Sequence, residues 1–169
     1  MSYYTFKIPM YRKSSKEIEI FDTQNRTVGS LRRVYTNAFQ KIIDTIFSND
    51  MFINVESFDK KNDFSCKAQE YGLIRSEWEI TTNSSKYLLH NKTKIKTNPR
   101  MEFELNGKKH FIKKDFADRR VYFETDSKTI ATFTYDKIVG SKTIEADINT
   151  DNIHYLELIC LYYVFILRD

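Results

Sequence analysis

Residues 158–167 (LICLYYVFIL) are ten consecutive apolar or aromatic positions, and no other stretch of the chain is like them. In a helix, successive side chains turn by about 100°, so ten such residues leave no polar face and the whole cylinder has to be enclosed. At about 1.5 Å per residue the run is about 15 Å long, roughly half the hydrocarbon thickness of a bilayer. Extending it back to Ile153 takes in His154 and Glu157 and reaches only about 22 Å. The segment is therefore read as the core of its own protein and not as a transmembrane span. A final buried strand is the alternative, because Ile, Val, Tyr and Phe also suit sheets. Length favours the helix, as do residues 149–151 (NTD), which offer N-cap chemistry just upstream.

The preceding residues supply what could enclose it. Segments 4–8 and 16–21 alternate apolar and polar side chains, and residues 22–29 carry the Asp, Asn and Gly of a hairpin turn. Residues 39–47 and 51–58 read as strands on either side of Ser48, Asn49 and Asp50. Further strands are expected at 65–71, 73–82, 87–89, 92–96, 100–105, 109–113, 121–124, 130–135 and 143–148. Segment 100–105 (RMEFEL) alternates strictly and runs into Asn106 and Gly107, a strong short-range hairpin signal. Residues 31–46 admit a helical reading, but their β-branched and aromatic content makes strands at least as fitting.

No amphipathic helix separates these segments in a βαβ rhythm. About a dozen short antiparallel strands predict a closed or nearly closed barrel, or a sandwich. A large barrel must be filled from within, and the apolar tail is suited to fill it. The expected architecture is mainly β, with about twelve antiparallel strands over residues 3–148 enclosing a hydrophobic C-terminal helix at about residues 151–167. Residues 1–169 then form a single domain, long enough to bury a sizeable core.

Four glycines and two prolines against 15% aromatic residues argue against disorder and flexible linkers. Cys66 and Cys160 form no metal-ligand spacing, and Cys160, inside the apolar run, reads as a small buried hydrophobe. No apolar stretch precedes a small-residue cleavage site, so an intracellular, cytoplasmic chain with reduced thiols is expected. The net charge of +4 is unevenly spread. Residues 86–120 hold eleven basic side chains against four acidic ones, which makes that segment +7 and the rest of the chain −3. Such a region attracts anions such as phospholipid head groups or nucleic acid. Solvated lysines that discourage edge pairing account for it more simply.

Chemistry-bearing patterns are sparse. His90, His110 and His154 stand in no metal-binding spacing, and no Gly-rich phosphate loop or nucleophile elbow occurs. Glu17 with Glu19, Glu77 with Glu79, and Glu102 with Glu104 fit solvated strand faces better than paired acids in catalysis. Glu157, at the start of the tail helix, is expected near the barrel mouth with a raised pKa unless a cation meets it. Its structural reading is a helix-start acid favoured by the helix dipole. Lys92, Lys94 and Lys96 point one way if they form a strand, a stripe able to meet phosphates. Nucleic acid would also need exposed aromatics beside it, and most aromatics here occupy inward positions, so nucleic-acid binding is not expected.

Two stretches resemble a known superfamily. Residues 18–32 (IEIFDTQNRTVGSLR) are similar to the strand–turn–strand of the tubby C-terminal fold, shared with phospholipid scramblases and LURP-one-related proteins. Residues 144–167 (IEADINTDNIHYLELICLYYVFIL) are similar to its last strand leading into the core helix. The resemblance implies a twelve-stranded barrel around a central hydrophobic helix; with chemistry-bearing patterns this sparse, no catalytic residue, metal or cofactor is expected. Family members include phosphoinositide binders, which implies an anionic lipid ligand and a peripheral position at the membrane. The acylated cysteine cluster and proline-rich N-terminus of scramblases are absent, so scramblase activity is not expected. The anion-binding residues expected from the basic segment are Lys92, Lys94, Lys96, Arg100, Lys108, Lys109, Lys113 and Lys114. Two other functions stay open: an intracellular protein-interaction or regulatory module, for example an immunity-type partner held by an exposed strand edge, and an enzyme or carrier with a small-molecule cavity in the barrel.

Overall fold

The computed structural model describes residues 1–46, 52–61, 63–71, 77–126, 128–137 and 139–169. Twelve strands follow one another: β1 (Ser2–Ile8), β2 (Ile18–Asp22), β3 (Thr27–Val34), β4 (Asn54–Asp59), β5 (Ser65–Tyr71), β6 (Glu77–Thr82), β7 (Lys86–Asn91), β8 (Arg100–Leu105), β9 (Lys108–Lys113), β10 (Arg120–Thr125), β11 (Lys128–Tyr135) and β12 (Lys142–Ile148). Helix α1 (Ala38–Ile46) lies between β3 and β4, and helix α2 (Tyr155–Arg168) ends the chain. Each strand pairs antiparallel with its sequence neighbour, and β1 closes on β12 from Ser2↔Ile148 to Ile8↔Lys142. The sheet is a closed barrel, which removes every free edge. The expected route to a protein partner by edge pairing is therefore not open to it.

Alternation builds the wall. On β8, Met101, Phe103 and Leu105 point inward while Arg100, Glu102 and Glu104 lie outward, as period-2 side chains require. The β8–β9 turn uses Asn106 (φ 53°) and Gly107 (φ 72°), the left-handed pair of a two-residue hairpin. At the β2–β3 turn, Asp22 Oδ1 accepts from the amides of Gln24 and Arg26, and Asn25 takes the positive φ.

The tail is a helix, as expected, and it fills the barrel. Every residue from Leu156 to Phe165 is buried. Phe133 stacks on Tyr162 with centroids 4.4 Å apart, and Phe6 meets the same ring edge-on. The Ser57 hydroxyl donates to the carbonyl of Leu156 at 2.8 Å. Gly29 faces the first turn of α2, where an added Cβ would lie 2.8 Å from Leu156 Cδ2. The helix takes the space that a carrier would offer a ligand. It begins at Tyr155, later than the expected 151, because the cap is His154: its Nδ1 accepts from the amide of Leu156, and its ring stacks on Phe64 at 3.8 Å.

Two expected strands are not strands. Residues 38–46 form α1, where Phe39, Ile42, Ile43 and Ile46 recur at helical and not alternating spacing. The helix is started by Asn37, which accepts from the Gln40 amide, while the Gln40 side chain accepts from the Thr36 amide, an arrangement close to a capping box. Residues 92–96 form a loop, because the Asn91 side chain captures the Thr93 amide and the Thr93 hydroxyl captures the backbone of Arg100. Lys92, Lys94 and Lys96 consequently form no strand stripe. Of the segments expected as strands, residues 47, 51 and 73–76 lie outside the described residues.

Candidate functional site

The strand order sorts the described connections between the two ends of the barrel. Connections β1–β2, β3–β4, β7–β8, β9–β10 and β11–β12 meet at the end where α2 finishes, and the β2–β3, β4–β5, β6–β7, β8–β9 and β10–β11 turns meet at the end where it enters. The first end carries most of the expected anion-binding residues.

On the outer wall beside it, a groove of about 530 Å³ is lined by Lys92, Lys94, Ile95, Arg100, Phe111 and Lys113, among others. Arg100 and Lys113 are register partners on β8 and β9, and Phe111 sits between Glu102 and Glu124 on neighbouring strands. Several of these cations already hold acids. Lys113 Nζ lies 2.8 Å from Glu124, Lys92 Nζ 3.5 Å from Glu102, and an Arg100 amino group 2.5 Å from Asp115. Lys94 has no ion pair among the described residues, so the groove keeps a positive excess.

Around the C-terminal turn of α2 lies a second set of cations. A cavity of about 570 Å³ is bounded by Arg12, Lys96, Phe165, Arg168 and Asp169, and another of about 310 Å³ by Arg12, Lys114, Tyr135, Lys142 and Asp169. Arg12 donates to the carbonyls of Ile166 and Leu167, which satisfies helix-end acceptors and places a cation at the negative end of the helix dipole. Lys114 Nζ lies 2.7 Å from Asp169 Oδ2. Burial alone would depress the Lys114 pKa, but the Asp169 hydrogen bond and charge, with Tyr135, outweigh it and raise it. Lys142 sits over the Tyr135 ring at 4.8 Å, and burial together with Lys114 and Arg12 lowers its pKa.

Six of the eight expected residues thus gather at or beside one barrel end: Lys92, Lys94, Arg100 and Lys113 at the groove, Lys96 and Lys114 at the mouth. Lys108 and Lys109 do not join them; they follow the β8–β9 turn at the opposite end, with Lys108 4.0 Å from Asp126. Sequence reasoning missed Arg12, Lys142 and Arg168. Nothing local marks them, since closure of β1 on β12 brings residues 12 and 142 together and the passage of α2 through the barrel adds residue 168.

The interior offers acid chemistry without access. Glu157 is buried, and Oε1 accepts the Tyr87 hydroxyl at 2.5 Å. Burial raises the Glu157 pKa, and the Tyr87 bond opposes the rise. Glu157 lies in the first turn of α2 as expected, and among the described residues no cation meets it; it is buried, with the Tyr87 hydroxyl as its partner. Cys66 and Cys160 are buried free thiols; the Cys160 thiol donates to the carbonyls of Val55 and Cys66, and the neighbouring Cys160, with burial, pushes the Cys66 pKa up. Among the described residues, no three His, Cys, Asp or Glu side chains are grouped to hold a metal, and no helix is long and apolar enough to cross a membrane.

Compared with family models, residues 4–169 match the one described as the tubby C-terminal-like domain. No curated protein matches the chain, and no solved structure does.

Proposed function

Because the chain belongs to the tubby C-terminal-like family, we propose that it is a non-catalytic binding module whose ligand is anionic phospholipid at a membrane surface. One observation carries the reading: Lys92, Lys94, Lys96, Arg100, Lys113 and Lys114 converge at the barrel end where α2 finishes, and Arg12, Lys142 and Arg168 join them there. Cations on one end of a rigid wall present a single charged face, which suits a planar anionic surface better than a dispersed set would. The helix-filled interior supports attachment by the outside of the barrel over enclosure of a small molecule.

Co-sedimentation with phosphatidylcholine vesicles, with and without phosphatidylserine, tests it. Each lysine near such a surface contributes on the order of 1 kcal/mol, lost as salt rises. Binding should require the anionic lipid and weaken with salt. Lys94→Glu with Lys96→Glu should reduce it, while Lys108→Glu with Lys109→Glu, at the far end, should not. Equal binding to neutral vesicles, or indifference to salt, counts against the reading, as does a stoichiometric protein partner captured by a chain that ignores lipid.

A further inference from the structure

The barrel end that carries the cations also carries most of the exposed large apolar side chains; Met1, before β1, is exposed at the other end, and Leu88 and Phe111 lie on the strands between. On α1, Asp44 faces the barrel and pairs with buried Arg33, which turns Phe39, Ile42 and Ile46 to the outside. Met10 and Tyr11 are exposed in the β1–β2 connection. Ile95, Phe116 and Val139 stand in the β7–β8, β9–β10 and β11–β12 connections, one in each. These residues are between 56 and 82% exposed. Every connection described at this end therefore bears at least one apolar tip. Among the described residues, the connections at the opposite end bear none, their Phe64 being packed on His154.

Charge follows the same division. The described residues of the connections at the α2-exit end include ten basic side chains against five acidic ones, and those of the opposite end three against three. A protein-binding surface would gather its apolar residues into a contiguous patch with few charges at its centre. Here the exposed apolar residues are spread over five connections, three on one face of α1, two in β1–β2 and one in each of the others, and each group stands among Lys and Arg. Aliphatic and aromatic tips flanked by basic residues suit the boundary between head groups and acyl chains, where apolar groups enter by about 5–10 Å and cations stay with the phosphates.

We propose that this end of the barrel is an insertion face, whose loop tips and outward face of α1 enter the interfacial layer of an anionic bilayer while the surrounding Arg and Lys side chains bind its head groups. The proposal rests on the phospholipid reading above and adds a fixed orientation: the α2-exit end faces the membrane and the tight-turn end faces away.

The test uses vesicles of phosphatidylcholine and phosphatidylserine with brominated acyl chains. The native indole, Trp78, is fully buried and hydrogen-bonded to the Ile53 carbonyl, so an added surface indole reports separately. Phe116→Trp puts one on the proposed face, and Leu88→Trp puts one on the barrel wall. Bromine should quench the added indole of Phe116→Trp at least about twofold more than that of Leu88→Trp, as shallow insertion requires. A protein with Ile95→Ser, Phe116→Ser and Val139→Ser together should melt as the parent does and lose at least about tenfold in vesicle affinity. If the parent binds anionic vesicles but the serine variant binds equally well, or both indoles are quenched alike, the insertion face is wrong and the phospholipid reading survives. If the parent binds no vesicle, both fall.

Discussion

The Tyr87 hydroxyl on β7 donates a 2.5 Å hydrogen bond to Oε1 of Glu157, so the first turn of the central helix holds a carboxylate inside the wall of the barrel. A closed barrel around a helix leaves little room for water to solvate that acid. Burial lifts the Glu157 pKa above its ordinary 4.5, and burial with the neighbouring carboxylate lifts the Tyr87 phenol far above its usual range.

The consequence is a pH dependence of defined sign. The folded state binds the Glu157 proton more tightly than the unfolded chain, so the stability it confers is complete below pH 4.5 and is lost as pH rises through the raised folded value. Glu157→Gln keeps an acceptor for Tyr87 and cannot ionise. Its melting temperature should exceed that of the parent at neutral pH, by about 2–4 °C per kcal/mol, and converge with it near pH 4. Thermal melts across this range check it; a constant difference at every pH would show that Glu157 does not titrate in the fold.

His154 contributes with the opposite sign. Its Nδ1 caps α2 by accepting from the Leu156 amide, which requires a neutral ring at that nitrogen. Burial lowers its pKa below 6.5, and the charge of Asp59 offsets part of this. Its stability is present above pH 6.5 and is lost as pH falls through the depressed folded value. His154→Asn retains a cap acceptor without titrating. Urea melts should show a shallower loss of stability below pH 6.5 in the variant, the remaining slope including His110, whose pKa burial also lowers.

The sequence made the barrel and its filling legible because both depend on short-range regularities. Strict alternation on β8, the Asn106–Gly107 turn and an apolar run without a polar face each have one cheap structural solution. Two errors came from competing local signals. In α1, Phe39, Ile42, Ile43 and Ile46 suggested a strand by residue type, while their spacing and the Asn37–Gln40 pair specified a helix. In residues 92–96, the lysines alternated as in a strand, but Asn91 and Thr93 side chains took the backbone groups a ladder needs. The cation cluster was half legible, because composition marked residues 86–120 and only closure of β1 on β12 could add Arg12 and Lys142.

Gly29 is explained by contact and not by backbone freedom. A Cβ there would meet both Leu156 Cδ2 and the Phe58 carbonyl at 2.8 Å, in a wall that cannot yield without moving β4 or α2. Gly29→Ala should destabilise the protein by about 1–3 kcal/mol, seen as a lower urea midpoint with an unchanged slope. Adding Leu156→Ala would open room on one side only, so it should not restore the parent's stability. Full tolerance of Gly29→Ala would mean that α2 sits farther from β3 than the structure has it.

Arg33 and Asp44 decide whether α1 presents its apolar face outward. The Arg33 Nη2 to Asp44 Oδ2 distance is 2.8 Å with both side chains fully buried, and the Tyr35 hydroxyl also donates to Asp44 at 2.9 Å. Arg33 further donates to the carbonyls of Arg12 and Phe52. Taking one ion from a buried pair leaves the other desolvated, so Asp44→Ala should cost about 3–5 kcal/mol, while Arg33→Met with Asp44→Leu should cost much less. The inward Asp44 is what places Phe39, Ile42 and Ile46 on the opposite side of the helix. The single variant should therefore expose the β3–β4 connection to proteolysis before global unfolding, whereas the double variant should resist as the parent does. Equal stability of parent and Asp44→Ala in urea would remove the ion pair as the anchor of α1.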